Sequence, residues 1–341
     1  MAEVEVSPVS YEDLALIEEE FAEVDDEIQR KQHELSKPLY AKRAEAVSKI
    51  PNFWPLVMEQ APMEIEDYIT PLDSAIFAEH LTNLTVTRPE LEEGKSGNPK
   101  TFSIKFEFSE NEYFEDKVLE KTFWHRRAAD DWVGLVSEPV KVHWKKGKDS
   151  TDGLTDAALA LFEARKKVGD FKSTSVPEYK ALEKKVEANG GNTSFFTWFG
   201  WVTNRRYVTA EESEKANKEY GKGKAARKAG KKPDAAEIQK QAEKEEAGEE
   251  DEEGDDLMVE VHGAGEEIAV TISDEMWPSA IKLFVQAQEA DDISDIDMEE
   301  FDDEEIDDAE DEPIDIRSLV QSTEKRSRDS SGAPPPKKAK K

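Results

Sequence analysis

The first fifty residues place apolar side chains at intervals of three and four. The stripe shifts by one residue after Leu35 and then continues. Such a repeat predicts an amphipathic helix, roughly 58 Å long at 1.5 Å per residue if it runs from Glu12 to Ile50. One small domain cannot cover a stripe of that length, so we expect a homodimer joined by a coiled-coil-like pairing of this helix. The predicted dimerisation residues are Leu14, Ile17, Phe21, Val24, Ile28, Leu35, Leu39 and Ala46.

Pro38 lies at the shift in this stripe. A proline inside a helix removes one backbone hydrogen bond and crowds the carbonyl four residues before it, at a cost of roughly 3 kcal/mol. The residues therefore allow two interpretations: two helices that break at Pro38, or one kinked helix whose contacts offset the loss.

Alternating apolar and polar residues then predict strands. Four segments show this period of two: "LTVT" at 84–87, "TFSIKFEF" at 101–108, "VLEKTFW" at 118–124 and "PVKVHW" at 139–144. Their short connections favour a four-stranded antiparallel meander with one face covered by helices. The expected helices include 155–168, 175–189 and one that begins at Pro71 with Thr70 as its N-cap. The predicted fold class is α+β, with the sheet at about 84–144.

The segment "FFTWFGW", residues 195–201, packs five aromatic rings into seven positions. Large exposed aromatic patches usually mark interfaces, so the cluster could be a binding surface. The meander, however, leaves one apolar face that needs cover. We therefore expect these rings to lie on a short helix and to close the core.

Charge divides the chain unevenly. The formal net charge is −33, yet residues 245–312 alone hold 30 acids and one base, and the rest holds 49 acids and 45 bases. Runs of like charge stay solvated. The acidic segment is therefore either a solubility device or a counter-surface for a basic partner.

Two segments are basic. Residues 215–232 hold eight bases and one acid, which is typical of a lysine-rich linker or helix, or of phosphate contacts. They contain one aromatic residue, Tyr220, so we expect weak or no direct DNA binding. The second segment predicts a bipartite import signal, an import receptor as a partner, and a nuclear location that also allows shuttling to the cytoplasm. Its residues are Lys325, Arg326, Lys337, Lys338, Lys340 and Lys341.

Catalytic and membrane signals are absent from this sequence. It has no cysteine, its five histidines are scattered without metal-ligand spacing, and no glycine-rich segment has the spacing of a phosphate loop. No apolar run approaches the roughly 18 residues that a membrane span needs. We expect no enzyme activity, no cofactor, no metal site and no membrane association.

Several longer motifs together resemble the nucleosome assembly protein family, and most closely its SET branch. They are "LSKPLYAKRAEAVSKIPNFW" (35–54), "ENEYFEDKVLEKTF" (110–123), "VHWKKGKD" (142–149), "SFFTWF" (194–199) and "EMWPSAIKLF" (275–284). The resemblance implies an uninterrupted first helix that pairs antiparallel with its twin, and an α/β "earmuff" domain. It also implies helix at 265–275, although "IAVTI" at 268–272 by itself favours a strand.

The same resemblance implies a histone chaperone whose acids bind core histones, H3–H4 or H2A–H2B. The expected histone-binding residues are Glu266, Glu267, Asp274 and Glu275, and by acidic character alone Glu299, Glu300, Asp302, Asp303, Glu304 and Glu305. Two other functions stay open: a regulatory protein that docks on a nuclear enzyme such as a phosphatase, and an architectural protein that binds nucleic acid through residues 215–232.

These patterns predict the following domains. They are a disordered N-terminus (1–10), the dimerisation helix (11–60), the earmuff (61–210), a partly disordered insertion (211–256), helices that complete the earmuff (257–288) and a disordered acidic tail with a basic end (289–341).

Overall fold

The structure, a computed structural model, describes residues 11–92, 97–190, 194–229 and 259–294. Its α-helices are α1 (Tyr11–Val47), α2 (Phe53–Glu59), α3 (Met63–Glu66), α4 (Pro71–His80), α5 (Leu154–Val168), α6 (Pro177–Asn189), α7 (Ala210–Lys228), α8 (Gly265–Val270) and α9 (Ala280–Ser294). A 3₁₀ helix spans Phe195–Gly200, and a π-helical turn, Thr271–Met276, continues α8. The strands are β1 (Leu81–Thr87), β2 (Phe102–Phe108), β3 (Val118–Arg127) and β4 (Val133–Ser137). Among these helices, none combines the length and the apolar character that crossing a membrane requires.

Helix α1 runs through Pro38 without a break. The continuous helix is therefore confirmed, and the alternative of two helices is wrong. The proline removes one backbone hydrogen bond. A contact just beyond it compensates, since the Tyr40 ring packs against the Trp277 ring with centroids 4.2 Å apart. The helix ends at Val47, before Ile50, and Phe53 and Trp54 of α2 enter the core.

The sheet is the expected antiparallel meander, with strand order β1-β2-β3-β4. In its register Leu84 faces Phe106, and Ile104 faces Lys121. The strict alternation of β2 places Phe102, Ile104 and Phe106 in the main core. Helix α4 begins as the sequence predicts, because the Thr70 hydroxyl accepts a hydrogen bond from the Asp73 amide and Asp73 caps in return.

The predicted fourth strand, residues 139–144, is wrong, and β4 is Val133–Ser137. Pro139 has no N–H to give to a ladder, and the next amide, that of Val140, donates to the carbonyl of Phe199 at 2.8 Å. The segment thus runs beside the aromatic cluster, and only Trp144 forms an isolated bridge, with Phe114. The sheet extends over residues 81–137 rather than 84–144.

The aromatic cluster lies in the core, as expected. The 3₁₀ helix is entirely buried, and the side chains of Phe195, Phe196, Trp198 and Phe199 are 0% exposed. The Trp198 indole donates to the carbonyl of Gly265 at 2.8 Å. The rings therefore cannot form an exposed binding patch; they join the sheet to α8.

Helix α8 confirms the conformation that the resemblance implies for 265–275 and makes the local strand interpretation wrong. Gly265 is required at its start, since a Cβ there would lie 2.0 Å from Cδ1 of Trp201. Close packing against the aromatic cluster thus outweighs the β-branched character of "IAVTI".

Candidate functional site

The apolar stripe of α1 faces away from the domain. Its large members, Leu14, Ile17, Phe21, Val24, Ile28, Leu35 and Leu39, are 49–65% exposed. Isolated exposed apolar residues are normal in proteins, but a continuous stripe along a helix marks an interaction surface.

A second, polar seam of α1 faces the same chain's domain. Asp26 pairs with Lys100 at 3.1 Å, Arg30 donates to the carbonyl of Gly97 at 3.3 Å, and His33 lies 3.5 Å from Glu92. These residues alternate at three and four positions, as the apolar ones do. Helix α1 therefore carries two parallel seams: one holds it to its own domain, and the other stays open.

Trp277 connects α1, the sheet and the turn that follows α8. Its indole donates to the carbonyl of Leu84 at 3.0 Å. Its own carbonyl accepts from Arg43 at 2.5 Å, and the Arg43 guanidinium lies 4.4 Å from the centre of its ring. Such a cation–π contact adds to the hydrogen bond. Trp277 thereby fixes the position of the acidic turn just before it.

The four acids expected here lie on α8 and on the turn after it, and they differ in environment. Glu267 and Glu275 are exposed, and in the described part of the chain neither makes an ion pair. Asp274 pairs with Arg88 at 3.1 Å. Glu266 accepts a hydrogen bond from Asn204 at 2.7 Å, and burial raises the pKa of its carboxyl. Glu267 and Glu275 are therefore the carboxylates best placed for the lysines or arginines of a ligand.

The π-helical turn that carries Asp274 and Glu275 inserts one extra residue, as the bond from the Trp277 amide to the carbonyl of Ile272 shows. Such turns often occur at functional sites. Here the turn keeps Ile272 and Met276 buried while Asp274 and Glu275 face solvent.

The remaining expected site residues lie outside the described residues. They are the tail acids Glu299, Glu300, Asp302, Asp303, Glu304 and Glu305 and the import residues Lys325, Arg326, Lys337, Lys338, Lys340 and Lys341. Both assignments stay predictions.

Sequence reasoning missed the place of the basic segment in the fold. Residues 210–228 form helix α7, whose basic end contacts acids of α1, among them Glu19 and Glu23. A local signal for its start was present, because Thr209 and Glu212 have the spacing of a capping box and the Glu212 amide donates to the Thr209 hydroxyl at 3.1 Å. The partner helix could not be read from a local pattern, because Glu19 lies 208 residues before Arg227 in the sequence.

The fold and these surfaces define a class: an α+β binding protein built on a long helix with an open apolar seam, carrying carboxylates on a rigid turn. The chain belongs to the nucleosome assembly protein family, which it matches over residues 5–287.

Individual relatives are similar in sequence to parts of this chain. A Schizosaccharomyces pombe protein named as a nucleosome assembly protein is 39% identical over 150 residues, which cover 41% of this chain and 59% of that protein. NAP1-related protein 1 of Oryza sativa subsp. indica is 30% identical over 215 residues, covering 61% of this chain and 69% of the relative. The chain thus matches less than two thirds of the yeast protein's length. The crystal structure of the Vps75 histone chaperone is 21% identical, with a TM-score of 0.47 and coverage of 81% of this chain and 97% of that one.

Proposed function

We propose that this protein is a histone chaperone that acts as a homodimer and binds basic histone surfaces through its acids. The observation that carries this proposal is the acidic surface of α8 and the turn after it, where Glu267 of α8 and Glu275 of the turn are exposed. Trp277, which follows the turn, is anchored to both α1 and β1. Family membership supports the same function. The name of the Schizosaccharomyces pombe relative, a nucleosome assembly protein, also agrees with it.

The dimer uses the apolar stripe of α1. Pairing with a second copy would bury side chains such as Ile17, Phe21 and Val24, which are about half exposed in the single chain. Burial of apolar area contributes roughly 25 cal/mol per Å², so a stripe along 37 residues is a substantial driving force. The antiparallel arrangement is the one that the family resemblance implies.

The fixed acids and the tail have different tasks in this mechanism. Attraction between exposed charges fades over about 8 Å at physiological salt. The acids of the predicted tail, residues 289–312, therefore raise the rate of encounter with histones and neutralise their charge loosely. Specific contacts come from the fixed turn, because preorganised groups lose less conformational freedom on binding. The partners are core histones, H3–H4 or H2A–H2B, and the basic C-terminal cluster serves nuclear import.

The double substitution Glu267→Lys with Glu275→Lys tests the turn. We expect it to weaken histone binding about tenfold at 0.15 M salt, since it replaces two attractive charges by two repulsive ones at a rim that contacts a basic ligand. The measurement is a fluorescence titration with each histone pair. The matched control is Glu163→Lys with Glu187→Lys, which changes the net charge equally at exposed sites on α5 and α6.

Equal loss of affinity in both variants would show that only net charge matters, and the turn would then lose its role. Unchanged affinity in the turn variant would show that histones bind elsewhere.

A further inference from the structure

The first half of α7 is anchored to the end of β3. The Arg127 amide donates to the Ser213 hydroxyl at 3.0 Å, and the Arg127 guanidinium lies 3.7 Å from the centre of the Tyr220 ring. Ser213 and Ala216 are buried. This half is therefore held to the domain by packing, by this hydrogen bond and by the cation–π contact.

The second half of α7 is held to α1 by charge. Lys224 lies 2.8 Å from Glu23 and 3.4 Å from Glu19, and Arg227 lies 2.8 Å from Glu19. Lys228 adds contacts to Glu23 at 3.6 Å and to Glu20. Isolated surface ion pairs contribute little, but a network with partly buried members contributes more. The side chains of Lys224 and Glu19 are only 14% and 18% exposed.

The electrostatics of Glu19 agree with this geometry. Burial by itself raises the pKa of its carboxyl, but the hydrogen bond from Tyr220 and the charges of Arg227 and Lys224 outweigh burial, so that the pKa is lowered. Glu19 is thus stabilised as an anion at the centre of the network.

Two glycines separate the anchored half of α7 from the charged half. A Cβ at Gly221 or Gly223 would meet no atom within 4 Å, so packing does not require glycine at either position. Glycine in a helix interior is less stable than alanine, because more backbone freedom is lost on folding. Helix α7 is therefore weakest between its two attachment points.

We propose that residues 224–228 form an electrostatic latch, which fastens the N-terminal half of α1 to its own domain and opens when its charges are screened or competed for. The latch contacts Glu19, Glu20 and Glu23 and leaves Ile17, Phe21 and Val24 exposed. The ion pairs of the latch can therefore form while the apolar stripe is paired with a second copy. This role rests on the proposed dimer: the latch holds the N-terminal half of α1 in a fixed orientation for pairing with the second copy.

Hydrogen exchange of the full chain tests the latch. The variant Lys224→Glu with Lys228→Glu should accelerate amide exchange over residues 14–27 about fivefold at low salt, as expected for loss of a small ion-pair network. The matched control, Lys215→Glu with Lys222→Glu, makes the same charge change at exposed positions of α7 that pair with no acid in the described residues. It should leave exchange unchanged.

Two further variants make the test specific. Adding Glu23→Lys to the latch variant should restore part of the slow exchange, because opposite charges again face each other. Gly221→Ala with Gly223→Ala should slow exchange of residues 224–228. Equal exchange in the latch variant and the control, or no rescue by Glu23→Lys, overturns the proposal.

Failure of the latch can be distinguished from failure of the proposed function. Light scattering and histone titration are run on the same samples. If only the latch fails, exchange is unaltered while the wild-type protein is dimeric and binds histones. If the proposed function fails, the wild-type protein itself is monomeric or does not bind histones, and the contact within one chain still responds to the charge changes.

Discussion

Ile17→Asp combined with Val24→Asp is expected to convert the proposed homodimer into monomers. Both side chains lie on the open seam of α1, where each is about half exposed in the single chain. In the paired helix they would be buried, and an unpaired carboxylate that leaves water costs several kcal/mol. Four such charges in one dimer exceed what the remaining stripe can offset. Sedimentation equilibrium should then give a mass near 38.5 kDa rather than twice that value.

Ala15→Asp with Ala22→Asp is the control for this experiment. It adds the same charge to the same helix at exposed positions beside the stripe, and it should leave the dimer intact. An unchanged mass for the Ile17/Val24 variant would refute the assignment of the seam. Monomers in both variants would show that added negative charge alone separates the chains.

Trp198→Ala is expected to destabilise the domain by about 3–5 kcal/mol, the usual range for removal of a buried large aromatic side chain. Trp198 is 0% exposed, and its ring packs against Phe123 with centroids 5.3 Å apart. The substitution also removes the hydrogen bond to Gly265, which ties the aromatic cluster to the helix before the acidic turn. Since whole domains are stable by only about 5–15 kcal/mol, we expect a large drop in the urea midpoint.

Two control variants help to interpret the result for Trp198→Ala. Trp198→Phe keeps most of the ring volume and should cost less than the alanine variant. Met63→Ala, at a side chain that is 70% exposed, should change the free energy of unfolding by no more than about 0.5 kcal/mol. A loss below about 1 kcal/mol for Trp198→Ala would mean that the cluster does not close the core, because buried aromatic truncations exceed that value.

The sequence predicted those helices and strands in which the spacing of apolar residues matches the surface that is buried or paired in the fold. The α1 stripe has a helical repeat and β2 has a strict period of two, and both form as expected. Strand β4 was missed because it is short and contains Gly134, beside which the Trp132 ring packs so closely that a Cβ would lie 2.4 Å from it. That packing is a contact between side chain and backbone, which the period of apolar residues does not show.

Lys121 shows another limit of pattern reading. It lies on the core face of β3 and is 0% exposed, where alternation predicts an apolar residue. Its ammonium donates to the carbonyls of Glu138, Phe199 and Trp201 at 2.7–3.1 Å, and burial lowers its pKa. These acceptors come from two segments distant in sequence, so only the folded chain reveals that the charge is satisfied.

The candidate site was also predictable only in part: its residues could be predicted, but their contacts could not. The family resemblance pointed to Glu266, Glu267, Asp274 and Glu275, and the structure places all four on α8 and the turn after it. The sequence could not show that Arg88 pairs with Asp274 or that burial raises the pKa of Glu266. These contacts depend on tertiary packing, and they leave Glu267 and Glu275 as the acids most available to a ligand.

Parallel titration of the full chain with histones and with free DNA tests the central claim most directly. The two histone pairs and a DNA duplex are titrated separately over a range of salt concentrations. The account predicts that at 0.15 M salt at least one histone pair binds about tenfold or more tightly than DNA, because the exposed turn and the acidic segments repel phosphate and attract lysine and arginine. DNA binding as tight as histone binding under those conditions would contradict it.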